Sequence, residues 1–475
     1  MKRPSRRTSA LSGALSLLAL AAAAAPSTAD NAPAQERSAY VVVLKDGAGD
    51  PGTVSSRLAR RYGAPPTAVF RHAIHGYGTR LTPAEAETLR ADPAVRFVSP
   101  QHTYRLPPAH HHRTAVPCRE ATVPGQCLPE WADRIEADRS SARSGDGRGT
   151  VTGVNVAVMD SGIDAGHPEL NVRGGADCLS GSPVVPGNSL IVGDPHGTEA
   201  AGVIAAEDNA AGIVGVAPGA PLWAVKVFPD DASGLGSDEA LLCGLDWVVS
   251  TRQDQDPGND IHVLNMSLTS TEDGRDDVDD GACGTVSGDA LHMAICAAVR
   301  AGVTPVAAAG NEGVDLARRA PAAYQEVLAA TAMTDFDGRP GAKAAPDCYG
   351  DDYGRFGEAD DQATLEFSNF VRGEEDRLHT VSAPGVCVLT TSSDPAGSYA
   401  AVDGTSFATP VAAGVAVLCI AHGPCGTSTP ADNVCVLAAD ARRHQRRDPG
   451  YGFDGDDRSP IPGRFYGPLV HAGSY

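Results

Sequence analysis

The sequence predicts an α/β protein: a three-layer domain built on a parallel sheet, preceded by a small α+β unit. Three observations predict it. The runs at 154–159, 222–228, 261–268 and 303–309 are almost unbroken apolar stretches, the pattern of strands covered on both faces. Helical stretches alternate with them at 238–250, 289–301 and 405–421. At 475 residues the chain also exceeds the roughly 250 to 300 residues that one core usually serves, so a second unit is needed.

In chain order, Lys2, Arg3, Arg6 and Arg7 precede a short apolar core at 11–24, and Ser27-Thr28-Ala29 offers a small-residue cleavage site. Residues 1–29 therefore read as a signal peptide. The context of Arg6-Arg7 is poor for a twin-arginine signal, which favours the general secretory route. No later stretch reaches the roughly 18 to 20 apolar residues that span a bilayer. The expectation is a secreted, extracellular protein with no membrane partner. A net charge of -21 argues against nucleic acid as a partner.

Residues 39–105 form the smaller unit. A strand at 40–44 is followed by a helix at 54–62 and by two strands at 68–81, broken near Gly76. Thr82-Pro83-Ala84-Glu85 reads as an N-cap with proline in the first turn, starting a helix to about Ala91, and 95–98 closes the set. This β-α-β-β-α-β order is the ferredoxin-like arrangement. Nine Lys or Arg against five Asp or Glu make the unit net positive beside an acidic remainder, which predicts docking onto its own chain. Residues 101–114, with Pro107, Pro108 and His110-His111-His112, read as an irregular linker. All eleven cysteines follow the signal segment, as suits an oxidising compartment, and the odd count leaves one unpaired in a monomer. Cys118 and Cys127 are the expected local bridge; the remaining connectivity is open.

Four short segments carry the chemistry: Val-Ala-Val-Met-Asp160-Ser-Gly-Ile-Asp, Asp-Pro-His196-Gly-Thr, Ala-Ala-Ala-Gly-Asn311-Glu-Gly and Gly-Thr-Ser406-Phe-Ala-Thr-Pro. A serine hydroxyl is a poor nucleophile until an imidazole takes its proton, and that imidazole needs a buried carboxylate to hold one tautomer. Alone, each segment has an ordinary structural reading: a turn aspartate, a solvated histidine or asparagine, a helix cap. Their order, Asp then His then Ser, differs from that of chymotrypsin and of the α/β-hydrolases.

By these motifs the chain from Asp160 to about Gly423 resembles the subtilisin-like serine proteases, and 39–105 resembles their inhibitor-type propeptide. The resemblance implies a secreted serine endopeptidase, made as a self-processing zymogen and hydrolysing protein or peptide substrates through an acyl-enzyme. Asp160, His196 and Ser406 would form the triad, with Asn311 and the Ser406 N–H as the oxyanion hole. An extended substrate would lie between Gly234-Leu235-Gly236 and Ser267-Leu268, and Ala308, Ala309 and Gly310 would line the primary pocket. The domains would be 39–105 as propeptide, acting as inhibitor and folding template, 106–150 as linker and N-terminal segment, and 151–475 as a subtilisin-like peptidase domain. Self-cleavage would fall at Tyr104, Arg105 or Leu106, and the enzyme would be a monomer. Catalysis would need no cofactor or metal, while Glu169 and Asn209 fall where relatives often hold a structural calcium. The alternatives weighed are a silent pseudoprotease scaffold and a serine esterase.

Two positions depart from the pattern. Glu199 replaces the histidine that usually follows His-Gly-Thr; because the related sedolisins use a glutamate in catalysis a functional acid is weighed, and the favoured reading is a tolerated helix residue. Thr269 replaces a glycine after the binding strand and would narrow the primary pocket. Glu272, Asp273, Asp276, Asp277, Asp279, Asp280 and Glu312 make the surroundings acidic, which is either ordinary solvation or a preference for basic side chains. The tail after Asp440 reads as irregular surface wrapping.

Overall fold

The structure, a computed structural model, describes residues 36–107, 118–185, 194–230, 233–271, 279–341, 343–345, 348 and 359–475, and 110–112 by backbone. The expected signal peptide 1–29 and the acids Glu272, Asp273, Asp276 and Asp277 lie outside the described residues. Residues 37–475 form one unit.

The small sheet follows the expected order: β1 (Ser38–Leu44), α1 (Pro51–Tyr62), β2 (Pro66–Phe70), β3 (Gly76–Leu81), α2 (Pro83–Arg90) and β4 (Val95–Pro100). The strands pair antiparallel in the order β2-β3-β1-β4. Thr82 and Glu85 cap α2 reciprocally, with Pro83 at its start. Side chains alternate along β1. Val42 and Leu44 face the unit's own helices, whereas Val41 and Val43 join the core of the larger domain. Both faces are thus buried.

Docking adds directed contacts to the expected attraction of net charges. Asp246 accepts the backbone N–H groups of Arg71, His72 and Ala73 at 2.9, 2.6 and 2.8 Å. Glu239 accepts from the Thr67 hydroxyl and the Gln101 amide at 2.8 and 3.0 Å. The larger domain does supply carboxylates, but most of their partners are neutral donors. Direction-specific hydrogen bonds fix the register where a diffuse charge difference would only attract.

Residues 101–114 are not wholly irregular. β5 (Thr103–Arg105) and β6 (His110–His112) are paired strands. A proline-rich stretch can still donate and accept on either side of its prolines when two open sheet edges receive it. A short hairpin, β7 (Cys118–Glu120) and β8 (Cys127–Pro129), and the helix α3 (Glu130–Arg134) lead into the main domain.

Its sheet uses β9 (Asn155–Asp160), β10 (Val172–Asp177), β11 (Leu222–Lys226), β13 (Ile261–Met266), β15 (Thr304–Ala308), β16 (Leu328–Met333) and β17 (Thr380–Pro384), after which come β18 (Val388–Ser392) and β19 (Ser398–Asp403). β12 (Leu235–Ser237) and β14 (Thr269–Ser270) stand apart and pair with β5. The seven strands run parallel in the order β10-β11-β9-β13-β15-β16-β17. On β9, Val156 and Val158 join one core cluster and Ala157 and Met159 the other, so the sheet is covered on both faces. α4 (His196–Ala205) and α7 (Thr405–His422) pack together on the first face, α5 (Asp238–Thr251) and α6 (Ala290–Ala301) on the second. Among the described residues α7 alone is long and apolar enough to cross a membrane, and it lies in the core.

The tail departs from expectation. α8 (Pro430–Arg447) runs past Asp440, and beyond it Tyr451, Phe453, Phe465, Tyr466, Leu469 and Val470 are buried. The Ser382 N–H donates to the Pro468 carbonyl at 2.8 Å, and the Val470 N–H to the Ser382 carbonyl at 2.9 Å. The tail therefore closes the open edge of β17, which would otherwise expose unpaired backbone groups. Disulfides join Cys118–Cys127, as expected, and Cys178–Cys243, Cys283–Cys296, Cys348–Cys387 and Cys419–Cys425; Cys435 is free and exposed.

Candidate active site

Ligand-bearing loops of a parallel sheet gather at the carboxyl ends of its strands, and β9 ends in Asp160. This carboxylate is fully buried. One oxygen accepts the Ser161 N–H at 2.7 Å, and the pair stands 2.9 and 3.0 Å from Nδ1 of His196. His196 opens α4. The helix comes this close because residue 197 is glycine: a Cβ there would lie 2.2 Å from the Gly162 carbonyl oxygen. Burial disfavours the imidazolium, but Asp160 and, more weakly, Glu199 and Asp194 favour it, so the pKa stands at about 8. Glu199 is fully buried in the same turn, with one oxygen 3.3 Å from the Ser392 hydroxyl. It therefore adds to the field on the imidazole.

Ser406 sits in the first turn of α7, behind Gly404 at φ 147°. Its carbonyl accepts the Ser267 hydroxyl at 2.7 Å, and Ser267 in turn accepts from the Asn265 amide at 3.0 Å. Among the described residues, Oγ of Ser406 and Nε2 of His196 are buried and make no hydrogen bond. The Asn311 amide oxygen accepts from the Thr405 N–H and hydroxyl at 3.0 and 2.7 Å. That grip turns Nδ2 toward Gly404. A Cβ at residue 404 would lie 2.9 Å from Ser406 Oγ and 3.1 Å from Asn311 Nδ2, so the two atoms converge on one spot. A nucleophile and a hydrogen-bond donor aimed at one point suit acyl transfer. Thr405 was not singled out in the sequence, although it lies inside the Gly-Thr-Ser motif.

β5 lies between the two strands of the cleft. Leu235, Gly236 and Ser237 pair with Arg105, Tyr104 and Thr103, while Thr269 and Ser270 pair with Arg105 and Tyr104. The ladder thus falls two residues beyond Ser267-Leu268, which are fully buried, one beneath Ser406 and the other in the core. Gly234 precedes the ladder at φ 56°. Ala308, Ala309 and Gly310 are buried at the end of β15. A Cβ on Gly310 would meet Asn369 Nδ2 at 2.4 Å, Glu312 Oε2 at 2.7 Å and Thr269 Oγ1 at 3.3 Å, so polar groups crowd this wall, Thr269 among them. Of the acids near the site, Glu312 faces the cleft: it stands 2.6 Å from Arg105 and 3.3 Å from Arg319, and accepts from Asn369 at 2.8 Å. Asp279 and Asp280 instead accept backbone N–H groups, among them those of Gly281, Gln325, Ala282, Gly284, Val286 and Ser287. Glu312→Gln should therefore raise KM for substrates carrying Arg at the Arg105 position by about two- to fivefold, since a partly exposed charge pair is worth little more. It should also abolish the salt dependence of their hydrolysis, leaving leucine counterparts unchanged. Equal salt responses for Arg and Leu peptides in the wild type would remove Glu312 from specificity.

Glu169 lies beside Asn209. Burial raises its pKa to about 7 against the hydrogen bond from the Tyr399 hydroxyl, and its Oε2 is buried without a hydrogen bond. The orphaned carboxylate oxygen is a donor of the kind a hard cation such as calcium takes, while the Asn209 amide oxygen accepts the Ala211 N–H at 3.0 Å.

Comparison with known proteins gives the family. A sequence model of the subtilase family matches residues 151–453, and one of the peptidase inhibitor I9 family matches 39–107. The chain belongs to the subtilase family. It is 31% identical to Subtilisin NAT of Bacillus subtilis subsp. natto over 358 residues, 75% of this chain and 73% of that protein. It is 32% identical to an alkaline protease of Shouchella clausii over 338 residues, 71% and 67% of the two chains. In fold it is similar to fervidolysin from Fervidobacterium pennivorans, at TM-score 0.61 and 20% identity over 92% of this chain and 60% of that one. It is likewise similar to the epidermin leader peptide processing protease of Staphylococcus aureus, at TM-score 0.60 and 17% identity over 92% and 98%. This subtilase is a serine endopeptidase, a hydrolase made as a zymogen with an I9 propeptide.

Proposed function

We propose that Asp160, His196 and Ser406 are the catalytic triad and Asn311 the oxyanion donor of a secreted, self-processing endopeptidase. The convergence of Ser406 Oγ and Asn311 Nδ2 on one point, together with an imidazole held by Asp160 and 5.1 Å from the ring of Phe407, the residue after Ser406, carries this reading. Ser406 Oγ attacks the scissile carbonyl while Nε2 of His196 takes its proton. Asp160 holds the other ring nitrogen and stabilises the imidazolium. Asn311 and the Ser406 N–H receive the charge that develops on the carbonyl oxygen. The leaving amine takes the proton from His196, and water repeats the sequence to free the acyl group. An extended substrate binds by strand addition between β12 and β14, as β5 does in the precursor.

The propeptide spans 39–105, the linker and N-terminal segment 106–150 and the peptidase domain 151–475. β5 pairs with β12 and with β14, two residues beyond the Ser267 that bonds the Ser406 carbonyl, and β6 pairs with β19, whose last residue Asp403 stands opposite His110 just before Gly404. Self-cleavage therefore falls between Arg105 and His110. Of the three positions expected from sequence, Leu106 fits this bracket, whereas Tyr104 and Arg105 are held inside a paired strand. The signal peptide, five disulfides and the relatives' family support export to the extracellular medium, where the enzyme acts as a monomer.

Because the base works unprotonated and its pKa in the precursor is about 8, the self-processing rate should rise as pH climbs through about 8 and then level. A fluorophosphonate should label Ser406 in the processed enzyme. A pH-independent processing rate, or an adduct on another residue, would sink the assignment. Glu169 and Asn209 hold a structural calcium, so added calcium should raise the Tm and chelation should lower it, with Glu169→Gln insensitive to both. A Tm indifferent to calcium in the wild type would remove the site.

A further inference from the structure

The middle residue of β5 carries a phenol into the body of the enzyme. Tyr104 pairs with Gly236 and Ser270 and is 2% exposed. Its side chain joins the core cluster that includes Phe228, Leu241 and Leu268. Its hydroxyl donates to Asp238 Oδ1 at 2.7 Å. Asp238 is itself 3% exposed and opens α5 behind the Ser237 cap. Its other oxygen accepts the His102 N–H at 2.7 Å. Both of these donors belong to the propeptide.

We infer that this pocket is a tyrosine-selective subsite of the cleft, with Asp238 as its specificity-determining residue. The inference rests on the reading of β5 as an occupant of the substrate's place. Any peptide supplies the backbone N–H that His102 provides, so that contact carries no selectivity. The phenol is different, because a phenylalanine in the same pocket leaves a buried carboxylate oxygen with neither water nor a donor. A site built to bond a hydroxyl rejects the analogue lacking it far more strongly than an apolar pocket rejects a missing methylene. An arginine is disfavoured for another reason: among the apolar side chains of this core its five donors would find only Asp238 and, farther off, the buried Asp289. In the precursor the arginine next in sequence pairs with Glu312.

The test uses the full chain, expressed and left to process, with quenched peptides that differ at the residue matching Tyr104: tyrosine, phenylalanine, O-methyltyrosine or arginine. Tyrosine should exceed phenylalanine in kcat/KM by about 10- to 100-fold, and O-methyltyrosine should do no better than phenylalanine. Asp238→Ala should bring tyrosine and phenylalanine within about threefold of each other. The peptide comparison on the wild type decides the matter even where that variant does not fold. Tyrosine and phenylalanine within about twofold, or a preference for arginine, overturns the subsite while leaving the triad in place. No turnover of any peptide by the processed chain would overturn the catalytic reading beneath it.

Discussion

A chain carrying Ser406→Ala should accumulate as an uncut precursor that hydrolyses no casein. Removing the nucleophile from a subtilisin costs about a millionfold in kcat, and that magnitude is borrowed here. The variant is a clean test because Oγ of Ser406 makes no hydrogen bond among the described residues. The hold on the helix start comes from Ser267 to the Ser406 backbone carbonyl, which alanine keeps. The Tm of the purified precursor should therefore stay close to that of the wild type trapped at low pH. A Ser406→Ala protein that loses its propeptide in the absence of any other protease would show that processing uses a different nucleophile.

Asn311→Ala should lower kcat by about 10²–10³ with KM almost unchanged, the loss measured for the matching asparagine of a subtilisin. The split follows from geometry. Nδ2 is aimed at the place where charge appears only during reaction, so it contributes little to binding the uncharged carbonyl. The substitution also leaves the Thr405 N–H and hydroxyl without the amide oxygen that receives them. A Thr405→Val companion variant, which loses only the hydroxyl, should show a smaller fall in kcat in the same direction. A KM effect equal to the kcat effect in Asn311→Ala would assign it to ground-state binding instead.

The catalytic motifs were legible because their chemistry is local. Within each motif the singled-out residue, at a strand end for the acid and at a helix start for the base and the nucleophile, lies a few residues from the glycines that let backbone approach. The buried runs of the parallel sheet were legible for a similar reason, since strands covered on both faces need no alternation. What escaped depends on partners far along the chain. Residues 103–105 and 110–112 become strand through the edges of β12, β14 and β19, and nothing in the neighbouring prolines and histidines announces those edges. The tail hides its apolar residues among Arg, Asp and Gly, so composition suggested surface where the edge of β17 demanded cover. The cleft ladder at Thr269–Ser270 was missed because Ser267 and Leu268 match a familiar pattern while their side chains serve Ser406 and the core. Glu312 was legible as an acid, but only its contacts with Arg105, Arg319 and Asn369 distinguish it from Asp280, which serves its own loop.

The three-stranded ladder of β12, β5 and β14 also sets a clock. While the propeptide remains attached, its inhibitory strand meets the cleft at an effective concentration of about millimolar, as a short tether dictates, and dilution has no influence. A cut at the proposed place, between Arg105 and His110, would turn the same contacts into an association of two molecules. From then on the occupied fraction depends on how much enzyme surrounds each cleft. A crowded population stays silenced after it has been cut, and the same population wakes as it disperses.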